Sequence, residues 1–205
     1  MTTISALFFG FISAVIGIFP PGLINMTAAK VKIKEGKRAA VWFVIGAVLI
    51  IIIQVYLAIL FAQFIGEHPQ VVVLLREIGC GIFTLLTVYF LAIAKTPQKI
   101  KGKIKKQRTS TRFFLGMLLS ALNFFPIPYY VLVSLSLASF GFFVFEPLSI
   151  FIFVLGAVLG SFLVFYTYIS FFTKIENKTD FFMKNMNKII GSITGIIAVV
   201  TLFNI

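Results

Sequence analysis

Two short stretches carry the local chemistry that most needs explaining. Pro20-Pro21-Gly22 and Pro126-Ile127-Pro128 each fall inside a long run of apolar residues. A proline removes an N–H and clashes with the preceding turn, so a helix interrupted by one leaves carbonyl groups without partners. Such freed carbonyls, with the partial charges of the half-helix ends, can line a cavity and hold a small polar ligand. Beside the breaks stand Asn25, Thr27 and Asn123, amide and hydroxyl groups that bind polar ligands without the cost of burying a full charge. The expected site is therefore Pro20, Pro21, Gly22, Asn25, Asn123, Pro126 and Pro128. Thr27, Gln54, Tyr56 and Tyr166 are further candidates to line it, with helix packing or interfacial placement as the alternative for each.

The same inventory excludes other chemistries. One cysteine, Cys80, allows no internal disulfide and no dithiol relay, and with a single histidine, His68, no metal centre is expected. No cofactor is implied. No Asp, Glu, Lys, Arg or His lies clearly inside an apolar run, which disfavours transport of metal ions. Nor is there a cluster of acids, histidines or a nucleophile with its base, so an enzyme is not expected.

The elements that must position these residues follow from composition. Of 205 residues 60% are hydrophobic and 12% charged, against about 25% charged in an average soluble domain. Crossing a hydrocarbon core takes about 20 apolar residues in a helix. Six mostly apolar runs approach or exceed that length: Thr3–Ala29, Ala39–Gln63, Val71–Ala94, Phe113–Phe145, Leu148–Thr173 and Ile189–Asn204, of which the third carries Arg76 and Glu77 near its start. The first has no basic stretch ahead of it and is too long for a cleaved leader, so it is expected to stay in the mature protein.

Charge placement sets the orientation. Lys30, Lys32, Lys34, Lys37 and Arg38 lie between spans one and two, and eight basic residues from Lys95 to Arg112 lie between three and four. Lys174, Lys178, Lys184 and Lys188 separate five from six, leaving Arg76 as the one basic residue on the other side. By the positive-inside rule the basic loops are cytoplasmic and both termini outside. The Lys95–Arg112 stretch has no aromatic residue on which bases could stack, so it is read as a linker resting on anionic lipid head groups and not as a nucleic-acid site.

The two halves also resemble each other. Gly10–Gly22 aligns with Gly116–Pro128, pairing Gly10 with Gly116, Phe19 with Phe125 and Pro20 with Pro126. Val44–Phe61 aligns with Val154–Phe171, pairing Gly46 with Gly156 and Tyr56 with Tyr166; a third pairing, Ile78-Gly79 with Ile190-Gly191, is weaker. A repeat with an odd number of spans must enter the membrane from opposite sides in its two copies, a plan common among secondary transporters. The expectation is an all-α integral membrane protein of six transmembrane helices, arranged as two inverted three-helix repeats, with helices one and four broken by Pro and Gly. Residues 1–94 form the first repeat, 95–112 the linker and 113–205 the second. The glycines at 10, 46 and 156 are expected to permit close helix packing.

Six spans, a Pro-Pro-Gly break followed by a basic loop, a long basic linker and an Asn-containing Pro break resemble the lysine exporter (LysE) family of bacterial amino-acid exporters. The family's first signature is Pro-Gly-Pro, of which Pro21 and Gly22 are kept here and the second proline is Leu23. Gly36-Lys37-Arg38 resembles its Gly-x-Arg stretch, and Asn123 stands two phenylalanines before Pro126 where the family has adjacent Asn-Pro. The resemblance implies a bacterial inner-membrane exporter of amino acids or related small metabolites, driven by the proton gradient. Since no carboxylate is evident in the cavity, a neutral or zwitterionic substrate is expected. The expected partners are a small-molecule substrate and membrane lipids, with no nucleic acid; a homo-oligomer is compatible with the sequence. The rival reading is a non-transporting structural or assembly factor.

Overall fold

The computed structural model describes residues 3–20, 22–94 and 108–203; Pro21 and linker residues 95–107 lie outside the described residues. Among those described there is no strand. The elements are α1 (Thr3–Ile18), α2 (Leu23–Glu35), α3 (Lys37–Glu67), α4 (Pro69–Val88) ending in a π-helical turn (Tyr89–Ile93), α5 (Thr109–Ala121), α6 (Pro126–Ser139) and α7 (Pro147–Leu202). Three of these helices start at a proline, where the missing N–H would have no intrahelical partner in any case. The prolines are thus helix starts as much as helix breaks.

The first and fourth apolar runs are bent pairs, α1 with α2 at 77° and α5 with α6 at 60°. The second run is α3, unbroken over 31 residues. Its entry from α2 is a one-residue joint at Gly36, whose φ of 95° lies where a side chain would be strained, and whose N–H closes α2 on Lys32 O at 2.9 Å. Here the Gly-x-Arg stretch has a plain conformational reason. Between the expected spans five and six the chain does not form a loop: α7 continues through the lysines from 174 to 188, since no glycine or proline falls between Gly160 and Gly191 to stop it.

Lys37–Glu67 and Pro147–Phe171 are each long and apolar enough to cross a membrane, and each bent pair is apolar enough to make one span more. The outward faces agree. Trp42, Leu49, Ile53, Leu57 and Phe61 on α3 are exposed, as are Leu148, Phe151, Leu155 and Leu159 on α7, a surface suited to lipid and not to water. This is a membrane-spanning helical protein.

The chain folds as two compact units, each drawing on both halves of the sequence. The larger holds residues 1–64 and 103–174, with a core of Phe43, Val44, Val55, Ile59, Phe153 and Phe165. Glycines set its helix crossings. A Cβ added at Gly10 would lie 2.1 Å from Phe153 O, and one at Gly156 2.2 Å from Leu7 O, so α1 presses directly on α7. A Cβ at Gly116 would lie 2.0 Å from Phe43 O and one at Gly46 2.1 Å from Phe113 O, so α5 presses on α3 in the same manner. Any larger residue at these positions would force the backbones apart. In the smaller unit, residues 65–102 and 175–205, Thr87 bonds Thr194 at 3.0 Å between hydroxyls, and Gly191 admits the Leu91 side chain.

Candidate functional site

Both helix breaks lie in the larger unit. At the first, α1 ends at Ile18 and α2 starts at Leu23, with Gly22 as its extended N-cap. Four carbonyls at this break, those of Ile18, Phe19, Pro20 and Gly22, are held. Asn25, buried on α2, turns its amide back and donates to Ile18 O at 2.7 Å and to Pro20 O at 3.0 Å. Tyr168, from α7, donates its hydroxyl to Phe19 O at 2.8 Å. Gly22 O accepts the Met26 N–H at 3.0 Å, the first bond of α2. Asn25 is therefore the latch of the bend as well as a candidate ligand group. Thr27 donates to Leu23 O one turn back at 2.7 Å, a bond within its own helix.

The second break is served from another helix. Gln54 of α3, 5% exposed, donates its Nε2 to Ser120 O at 3.1 Å and to Asn123 O at 2.8 Å. The Asn123 N–H caps Ser120 O at 3.0 Å, and its half-buried side chain stands at the bend. Pro126 and Pro128 open α6 without N–H groups, while Ile127 N and Tyr129 N are spent on Phe124 O and Phe125 O. The start of α6 is thus poor in donors. Among the described residues three buried polar atoms have no partner: Gln54 Oε1, Ser120 Oγ and Tyr130 Oη.

Tyr129 joins the two regions. It lies one turn into α6, donates its hydroxyl to Ser13 O of α1 at 2.8 Å, and sets its ring against Gly17, one residue before the end of α1, where an added Cβ would meet the ring at 2.8 Å. Its other neighbour is the Phe125 ring, stacked at 5.9 Å. Gly17 is what allows the ring so near the first break.

The remaining candidates sit elsewhere. Tyr56 is exposed on the outer face of α3. Tyr166, paired with it in the sequence, is exposed on α7, where its hydroxyl accepts from Lys37 Nζ at 2.7 Å and its ring lies 4.9 Å below that ammonium. Neither bonds to a break. Pro20 is exposed and contributes its carbonyl.

Two features were not anticipated from the residues. Tyr168 carries no signal beyond its place in an apolar run. Arg112, counted with the linker's solvated charges, is buried in the first turn of α5 and grips Glu35 at the end of α2 through Nε at 2.8 Å and through a second, bidentate contact. The excess of basic residues in these loops hid that one of them is matched.

Neither the curated proteins nor the solved structures give a match to this chain. Apolar helices are interrupted twice by proline here, with amides and a phenol holding the freed backbone; residues 15–204 match the model of the LysE type translocators, and the chain belongs to that family.

Proposed function

We propose that the protein exports amino acids or related small polar metabolites from the cytoplasm by alternating access around the two breaks. The observation that carries this is the placement of both breaks in one compact unit, tied by Tyr129, with their freed carbonyls held by side chains that can exchange partners. Irregular backbone at membrane depth is tolerated where protein or a polar cavity satisfies it, and such breaks are where carriers bind their cargo. Pro20, Pro21, Gly22, Asn25, Asn123, Pro126 and Pro128 are then the translocation region, and Gln54 lines it. The substrate is neutral or zwitterionic, because Glu35, the carboxylate nearest the breaks in sequence, is engaged by Arg112.

Two inverted copies of one helical repeat supply the alternation. What supports this is the pair of matched crossings: Gly10 on α7 and Gly116 on α3, with Gly156 and Gly46 answering them, are counterparts in the sequence alignment. The distribution of lysine and arginine supports cytoplasmic basic loops and outer termini in a bacterial inner membrane.

The test is efflux of a panel of labelled amino acids from loaded cells or vesicles. The intact protein is compared with Asn25→Ala and Pro21→Ala at equal membrane levels. Loss of export of one substrate class, at least about tenfold for Asn25→Ala, is expected from two lost hydrogen bonds. If no amino acid moves with the intact protein, the proposal is wrong and a structural or assembly role takes its place.

A further inference from the structure

The second break holds polar atoms for which the fold itself has no use. Ser120 is wholly buried, yet its hydroxyl donates to nothing, whereas the buried serines 13, 134 and 161 each donate to the carbonyl one turn back. Beside it, Gln54 spends its amide N–H groups on Ser120 O and Asn123 O and keeps Oε1 unbonded. A buried oxygen without a partner costs about 1–3 kcal/mol, and here two stand on residues that touch. In the register of the two halves the counterparts of Ser120 and Gln54 are Ala14 and Val164, both buried and apolar. The same helix crossing is thus built elsewhere in this molecule without polar groups, so packing does not demand them.

The chemistry of the two unbonded atoms is one-sided. Prolines at 126 and 128 have no N–H, and the amides of Ile127 and Tyr129 are already bonded. Gln54 Oε1 and Ser120 Oγ offer acceptor capacity, beside the C-terminal end of α5, where the helix dipole is negative. To a carboxylate this pair presents one hydroxyl proton at most. A primary ammonium, with three N–H groups and a positive charge, fits it.

We propose that Gln54 Oε1 and Ser120 Oγ form the subsite for the substrate's primary ammonium group. Cargo is then recognised through its amine, at the second break, and no carboxylate is needed to hold it. Both oxygens are closed off from solvent in this conformation, so the ammonium enters as the break opens. The subsite deepens the export reading and rests on it for its role in transport.

The experiment uses the full chain purified in detergent. Thermal unfolding is followed in methylammonium chloride and in tetramethylammonium chloride of equal concentration, the second cation having no N–H. Methylammonium is expected to raise the midpoint of the intact protein above the tetramethylammonium value. Ser120→Ala, which deletes an unbonded oxygen and leaves a residue the fold accepts at position 14, should fold normally and lose that difference; Ser161→Ala should retain it. A difference that survives in Ser120→Ala, or is missing from the intact protein, overturns the subsite. In efflux assays Ser120→Ala should raise the KM for the exported amino acid about tenfold, and the N-acetyl derivative should fail to compete with the intact protein. An unchanged KM with export intact overturns the subsite alone. A methylammonium effect lost in Ser120→Ala, in a protein that exports no amino acid, would sink the export reading and leave the subsite standing.

Discussion

At the first break three successive carbonyls, those of Ile18, Phe19 and Pro20, each have a donor, two from Asn25 and one from Tyr168. At the second, one amide from Gln54 reaches two carbonyls and leaves its own oxygen, and the neighbouring Ser120 hydroxyl, unbonded. The donor also differs in origin: Asn25 lies seven and five residues from the two carbonyls it holds, whereas Gln54 comes from 66 and 69 residues away on another helix. A bend latched by its own helix can form as soon as that segment folds. A bend latched from α3 exists only while α3 is packed against it, and moving α3 would expose its carbonyls. The first break is built as a fixed elbow, the second as a joint with polar capacity to spare.

The largest effect is expected where the two broken pairs meet. Arg112, at the start of α5, and Glu35, at the end of α2, form a buried pair, and removing one partner leaves a buried charge. Arg112→Ala should lower stability by about 3–5 kcal/mol, read from thermal unfolding in detergent, while the double variant Arg112→Met with Glu35→Leu should regain most of it. If the single variant unfolds like the intact protein, the two pairs are not coupled through this contact.

Next comes the elbow itself. Asn25→Ala strips donors from two carbonyls and should cost about 2–4 kcal/mol, whereas Ser120→Ala, with no bond to lose, should change stability by less than about 0.5 kcal/mol. Equal losses would erase the distinction between a fixed elbow and a polar joint. A smaller loss than that of Asn25→Ala is expected for Tyr168→Phe. One interhelical hydrogen bond within a membrane protein is worth about 0.6 kcal/mol and at most about 1.7, so a shift of a few degrees in midpoint is expected. A much larger loss would mean that α7, and not Asn25, holds the first bend.

The bends at residues 18–23 and 122–126 follow directly from proline chemistry, and they appear where the prolines are. Gly10, Gly46 and Gly156 were legible as close-packing positions for the same kind of reason, since a missing side chain beside apolar neighbours has few other uses. The helix through residues 174–188 was not legible: lysine and asparagine suit a loop and a solvated helix alike, and local charge does not choose between them. Nor was the place of the tyrosines. Tyr166 looked like a partner to the site by its pairing with Tyr56, but Tyr168, two residues on and so turned to another side of α7, is the one that reaches the first break.

Composition alone determined that this chain is a membrane-spanning helical protein and where its helices bend, because length of apolar run and loss of a backbone N–H act within a few residues. Charge placement along the chain carries an orientation for the same local reason. Which side chain meets which carbonyl is another matter. Gln54 serves a break 66 residues away, Tyr129 reaches back 116 residues to α1 and Arg112 finds Glu35 across 77. Those pairings depend on how α1 crosses α7 and α5 crosses α3. Only the packed helices, brought to backbone contact at their glycines, decide which polar groups are used up and which are left unbonded, as Gln54 Oε1, Ser120 Oγ and Tyr130 Oη are.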